Sequence, residues 1–386
     1  MVDRDEALEL HNKNPGKISV EPSVEINSKE DLNLVYTPGV AEPCREIAED
    51  VENAYEYTSK GNLVAVVSDG TAVLGLGDIG AEASMPVMEG KSNLMKKFGD
   101  VDGVPVCINA DSAQDIIEHV EREAPTYGAV NLEDIKAPRC FKAEEALKES
   151  LDIPVFHDDQ HGTAIVVLAA LQNALEIADK NLSDVRIAIS GAGASGIAVA
   201  NFLLEAGAQE IVPVDSSGIL REDDENEYKA DLASRTSASD EEGDLADAIE
   251  GADVFIGLSA PGIVSKEMVG LMAQDSIVFA LANPEPEILP DDAKEAGAFI
   301  TATGRSDFQN QVNNSLAFPG VFRGALDVKS SEINEEMKKA ASKAIREFIE
   351  PEKEKIVPDT LDKKLAMEIA DKVSEAARKS GVAREN

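Results

Sequence analysis

The heptapeptide "SGAGASG", residues 190–196, restricts the fold of this chain more tightly than any other stretch. The apolar run "VRIAI" precedes it, and "IAVANFLLEAG" follows with helical apolar spacing that Gly207 brings to an end. A glycine corner between a buried strand and a helix start belongs to a doubly wound parallel α/β sheet that holds a dinucleotide. Gly191 permits the tight turn, Gly193 lets backbone N–H groups reach a pyrophosphate, and Gly196 lets the helix close on the strand. Asp215 then ends the next strand, where an acid meets the adenosine ribose. A second match to the same pattern, "LGLGDIG" at 74–80, lacks this context. Pro86 and Gly90 interrupt the segment after it, and Asp100 and Asp102 fall in a turn instead of at a strand end. It reads as a glycine-rich corner leading into a helix that carries Lys91.

From residue 185 onward the strand-like runs "VRIAIS", "EIVPVD", "DVFIGLS", "SIVFALA" and "AFITAT" alternate with helical segments, which predicts a Rossmann-type parallel sheet with helices on both faces. The acidic stretch at 221–244 reads as a solvated crossover. Upstream, "LVAVVS", "VPVCINA", "YGAVNL" and "IPVFH" form a separate α/β layer, with helices expected near 82–98, 112–123 and 142–150. "TAIVVLAALQNALEIAD" bridges the two layers, and the tail from 331 repeats helical apolar spacing. The chain thus divides into an N-terminal α/β domain at 1–160, a dinucleotide-binding domain at 161–318, and a helical segment at 319–386 that packs back on the first domain.

At 386 residues and 43% hydrophobic content there is material for two packed cores, despite 74 acidic against 36 basic residues and a net charge of -38. Such charge repels nucleic acid and anionic membranes, and 4% aromatics leaves no stacking platform for single strands. Like charges oppose compaction less where salt screens them, so a salt-loving cytoplasm is expected. The start "MVDRDEALEL" has no apolar leader, and the longest apolar run, "AIVVLAAL", is too short to span a bilayer. A cytoplasmic, non-exported protein is therefore expected. Cys44, Cys107 and Cys140 lack C-x-x-C spacing and read as reduced, buried thiols.

Acids gather where first-domain strands end: Glu133 and Asp134 in "NLEDI", Asp158 and Asp159 in "FHDDQHGTA". Carboxyl ends of neighbouring parallel strands converge on one crevice, and clustered carboxylates there call for a hard divalent ion, Mg²⁺ or Mn²⁺. Helix caps and solvated turns would account for any one of these acids. His157 and His161 read as neighbours of that site and not as zinc ligands. The Thr-Pro-Gly turn after Tyr36 suits a phenol held in fixed orientation, or simply a packed tyrosine. Asn283, and Asn313 or Asn314, offer amides to an anionic ligand.

Taken in order, "LVYTPGVAEPC", "SDGTAVLGLGDIG", "MPVMEGKSNLMKKFG", "NLEDI", "FHDDQHGTA", "GAGASG", "ALANP" and "NNSLAFPG" resemble the malic enzyme family in its short prokaryotic form, across about residues 15–385. The resemblance implies oxidation of (S)-malate with a nicotinamide coenzyme, then decarboxylation to pyruvate and CO₂. By motif, Tyr36 would be the general acid and Lys91 the general base, its pKa lowered toward neutrality beside a divalent cation. Glu133, Asp134 and Asp159 would ligate the metal, while Asn283 and Asn314 would contact malate or the nicotinamide ribose. Ala192, Gly193, Ala194 and Ser195 would line the pyrophosphate. The arginine that the large eukaryotic-type members carry is replaced here by Thr71, Ala72 and Val73, which leaves the partner of the substrate carboxylate open. No acyltransferase-like extension is expected, and a homodimer or higher homo-oligomer is implied by resemblance alone.

Two other readings compete: malolactic chemistry, which yields lactate without net coenzyme turnover, and a nucleotide-sensing module without chemistry. Asp215 favours NAD, whereas Ser216, Ser217 and Arg221 leave room for a 2′-phosphate, and family habit tips the expectation slightly to NADP.

Overall fold

A computed structural model describes residues 3–73 and 75–384. An N-terminal arm holds four short helices, α1 (Arg4–Lys13), α2 (Lys29–Val35), α3 (Ala41–Glu49) and α4 (Ala54–Tyr57). None of the four has a buried residue. The first α/β layer follows: β1 (Leu63–Ser68), α5 (Ala81–Gly99), β2 (Asp102–Cys107), α6 (Ala113–Glu123), β3 (Ala129–Leu132), α7 (Arg139–Ser150) and β4 (Val155–His157). Its sheet has the order β2-β1-β3-β4 and every pairing is parallel. The helix α8 (Asp158–Ile177) begins on the residue after β4, so the turn that bears Asp158 and Asp159 is also the start of the interdomain helix. Residues 164–171 of α8 are buried throughout, because α9 and α15, defined below, cover it.

The second layer comprises β5 (Arg186–Ser190), α9 (Ala194–Glu205), β6 (Glu210–Asp215), β7 (Gly218–Ile219), α10 (Glu227–Ser234), α11 (Leu245–Ile249), β8 (Val254–Gly257), α12 (Lys266–Gly270), β9 (Ile277–Ala280), α13 (Pro290–Glu295) and β10 (Ile300–Thr303). Its strands run β10-β9-β8-β5-β6-β7, parallel except for the short edge strand β7. Runs such as Ile187–Ile189 and Val254–Ile256 are wholly buried, as expected where helices cover both faces of a parallel sheet. Three C-terminal helices, α14 (Phe318–Asp327), α15 (Glu335–Glu347) and α16 (Lys363–Ser380), return to the first layer: α14 and α16 touch α5, and α15 lies along α8.

Two expectations are corrected. The acidic stretch at 221–244 is not wholly a solvated crossover, because α10 turns Leu232 and Ala233 into the core and Tyr228 packs on Phe141 with ring centroids 4.4 Å apart. Of the three thiols only Cys140 is buried; Cys44 lies exposed on α3 and Cys107 is half-covered at the end of β2.

Candidate active site

The carboxyl ends of β1, β3 and β4 lie side by side, and each delivers polar groups to one place. Asp134 has a positive φ of 54°, which turns the chain out of β3 and aims its N–H at Asp159 Oδ2, 2.9 Å away. One carboxylate oxygen from each of Glu133, Asp134 and Asp159 can lie within 4.8 Å of the other two. Behind them Lys91, on α5 and only 8% exposed, sits 2.5 Å from Asp158 Oδ2 and 2.8 Å from Glu133 Oε1, with its Nζ 4.3 Å from the centroid of Phe318. Asn131 donates to Glu133 at 2.7 Å.

Crowding acids out of water makes their charge costly. Burial, reinforced by Asp159 and Glu133, pushes the Asp134 carboxyl up to about 9. Asp159 is raised to about 6 by burial, against the pull of Lys91, and burial likewise raises Glu133. At Lys91 burial works against the charge, but Asp158, Glu133 and Asp159 outweigh it and hold the ammonium above the ordinary lysine range. The donor set fits a hard dication. Its ligands are all oxygens, and Asp134 Oδ2 is buried with no hydrogen-bond partner among the described residues.

Across the crevice stands the glycine corner at the start of α9. A Cβ at Gly196 would lie 1.7 Å from the Gly191 carbonyl oxygen, so the helix reaches the strand only with glycine there. A Cβ at Gly193 would meet nothing within 4 Å, which leaves an open cradle for a phosphate. The crevice, about 670 Å³, is lined from both layers: Asp134, Lys136 and Asp159 on one side, Gly193, Ala194 and Ser195 on the other, with Asn283 and Asn314 between. Ala192 is buried beneath the corner. The other glycine-rich corner is also a wall of this crevice, and a Cβ at Gly75 would lie 2.6 Å from Pro284 Cδ. Leu74, within the quoted "LGLGDIG", lies outside the described residues.

Tyr36 is the expected residue that a single chain does not bring here. It ends α2 on the N-terminal arm, is 67% exposed, and does not line the crevice; none of the arm's described residues joins the core. His157 and His161 are neighbours of the carboxylates. His157 is fully buried with Nε2 3.5 Å from Asp159, while His161 turns away to Glu144 at 2.8 Å and to Lys338 at 3.2 Å.

Two positions escaped sequence reasoning. Glu144 on α7 accepts from the His157 N–H at 3.1 Å, Gln160 at 3.1 Å and Lys148 at 2.8 Å, and so ties down the turn that bears Asp158 and Asp159. Among the described residues Lys136 is the one lysine or arginine on the crevice wall, its Nζ 3.8 Å from Asp78. Thr71, in the segment where large relatives have arginine, holds the loop instead: its hydroxyl donates to Asp69 at 2.6 Å and accepts the Lys136 N–H at 3.0 Å. The adjacency of Lys136 to Asp134 was the available signal.

A parallel sheet ending in buried acids, faced across a cleft by a dinucleotide corner, defines a two-domain α/β protein of the nicotinamide-dependent dehydrogenase class. Residues 15–115 match the model of the malic enzyme N-terminal domain, and residues 160–378 match that of the malic enzyme NAD binding domain. The chain belongs to the malic enzyme family. It is 52% identical to a bifunctional malic/malolactic enzyme of Bacillus subtilis, over 99% of this chain and 94% of that one. It is 50% identical to an NADP-dependent malic enzyme of Halomonas elongata, over 99% and 95% of the two chains. The crystal structure of malic enzyme from Pyrococcus horikoshii superposes with a TM-score of 0.95 at 50% identity, covering 99% of this chain and 92% of that one.

Proposed function

We propose that this chain oxidises (S)-malate and decarboxylates it to pyruvate and CO₂, reducing NAD or NADP in the presence of Mg²⁺ or Mn²⁺. One observation carries the reading: Asp134 and Asp159 of the acid cluster line a single crevice with the glycine corner, and Lys91 pairs with Glu133 of the same cluster. Glu133, Asp134 and Asp159 would hold the dication, which when bound supplies a Lewis acid for the substrate's carboxylate and C2 oxygen. With two of its three acidic neighbours engaged as ligands, Lys91 is held charged chiefly by Asp158. The ammonium must first give up a proton, for which Asp158 lies 2.5 Å away, and the neutral amine at Nζ then takes the C2 hydroxyl proton. Asn283 and Asn314 orient the substrate or the nicotinamide ribose, Gly193 to Ser195 face the pyrophosphate, and Lys136 offers a counter-charge to a substrate carboxylate.

The arm supports a homodimer. Leu8, Leu10, Val20, Leu34 and Tyr36 are each exposed on it, apolar side chains that a second copy would cover. Such docking would also give the Tyr36 phenol a route to a crevice, where it protonates C3 of the product. Three free cysteines, one of them exposed, suit a reducing cytoplasm, and the acid excess suits a salt-rich one. Among the described residues no helix is long and apolar enough to cross a membrane.

The test is an assay of malate with each coenzyme and Mn²⁺, quantifying reduced coenzyme, pyruvate and lactate. Equal amounts of reduced coenzyme and pyruvate are expected, and Lys91→Ala should lower turnover by about 10²-fold or more while still binding coenzyme. Lactate without net coenzyme reduction would favour the malolactic reading suggested by the Bacillus subtilis relative. Coenzyme binding without any product would favour a sensing module.

A further inference from the structure

The helix α8, whose first turn carries Asp158 and Asp159, begins without a side-chain cap of its own, since the His157 ring before it bonds none of the first N–H groups. A carboxylate from another helix stands in. Glu144 on α7 accepts the His157 N–H at 3.1 Å and the Gln160 side-chain amide at 3.1 Å, a negative charge set where a helix start favours one. That carboxylate is itself held from behind: His161 Nε2 lies 2.8 and 2.9 Å from its two oxygens, and His161 Nδ1 lies 3.2 Å from the Nζ of Lys338 on α15. An ammonium can only donate, so Nδ1 accepts, and the neutral ring carries its proton on Nε2, facing Glu144. Lys148, 2.8 Å from Glu144 Oε1 and 3.5 Å from His161 Nε2, donates to the nearer oxygen. Lys338 is only 5% exposed; Glu335 pairs with it, and its Nζ stands 5.9 Å from the ring centroid of Phe202 on α9. A recess of about 180 Å³ borders Glu144, Gln160, His161 and Lys338, so hydrogen bonds and not close packing on every side fix these groups.

We propose that Lys338, on the C-terminal helix α15, is a positioning residue for the turn that bears Asp158 and Asp159, acting through the tautomer of His161 and the carboxylate of Glu144. With its proton on Nε2 the imidazole grips Glu144, and Glu144 grips the backbone one residue before Asp158, the partner of Lys91, and two before Asp159. Without the ammonium the ring proton is free to move to Nδ1, which turns the Nε2 lone pair onto a carboxylate. The two then repel, and the start of α8 loses its anchor. The C-terminal segment thereby sets the aim of the acid cluster without touching it. The inference rests on the dication reading proposed above, but its first readout needs no metal.

The chain has 4 histidines, so nitrogen-15 labelling of histidine in the full chain gives a spectrum simple enough to assign the His161 ring. The parent should show the Nε2–H tautomer, and Lys338→Met should shift those signals toward Nδ1–H. In the same variant the affinity for Mn²⁺ alone, read by calorimetry, should fall about tenfold or more, the scale on which partners behind metal ligands act, while NAD affinity stays unchanged. Lys338→Arg keeps a cationic donor and should restore most of both signals. A parent His161 protonated on Nδ1 overturns the proposal even if no variant folds. Unchanged ring signals or unchanged Mn²⁺ affinity in Lys338→Met overturn it too, as does equal weakening of NAD and Mn²⁺. Absence of Mn²⁺ binding in the parent chain would count against the proposed dication and leave the ring signals to decide the role of Lys338.

Discussion

Lys91 and its acids form a cluster whose burial is costly and whose charge a bound dication would offset. The carboxyls of Asp134, raised to about 9, and of Asp159, raised to about 6, keep protons that ordinary aspartates shed near 4. A metal ion must displace those protons. Its affinity should therefore rise with pH between about 6 and 9 and level off above, since each proton that competes for a ligand weakens binding until it is lost. Calorimetry of Mn²⁺ binding in buffers of different ionisation enthalpy checks this: proton release should be detectable at pH 6.5 and decline toward pH 9. Affinity that is flat with pH would mean that these acids are not the ligands. At this scale the acid cluster was legible in the sequence because acids at the ends of parallel strands share one edge. The Lys91–Asp158 pair and Glu144 were not, because each partner lies on a different element and a lysine or glutamate within a helix looks the same buried or exposed.

Among the elements, the return of the C-terminal helices to the first layer depends on close packing. A Cβ at Gly320 would sit 2.6 Å from both the Ala366 carbonyl oxygen and Ile369 Cβ, so α14 and α16 approach nearer than any larger residue allows. Gly320→Ala should destabilise the fold by about 1–3 kcal/mol, the usual cost of overpacking, and should lower Tm in thermal unfolding. An unchanged Tm would mean that the helices can separate freely. Strand runs and their helices were readable from alternation and from the glycine corner, since buried parallel strands are continuous apolar stretches. The arm was not: α1 and α2 bury nothing, so neither helix shows the apolar stripe that core packing imposes. Tyr36 was for that reason identifiable by motif but not placeable by pattern.

The whole molecule carries a net charge of -38 on two packed layers. In dilute buffer these charges repel one another over a Debye length of about 30 Å, and in molar salt over about 3 Å. Tm should rise by at least about 5 °C from low-salt buffer to molar KCl, a shift worth one to a few kcal/mol for a chain of this size. A Tm that is flat or falling with KCl would remove the salt-rich cell interior from the account. The two-layer architecture brings the acid-bearing strand ends opposite the dinucleotide corner, and everything proposed for the reaction depends on a dication resting between them. The most direct measurement is anomalous diffraction from crystals of the chain grown with Mn²⁺ and coenzyme. The account predicts one strong peak bonded to oxygens of Glu133, Asp134 and Asp159; a peak at another site, with these three carboxylates unbound at saturating Mn²⁺, would contradict it.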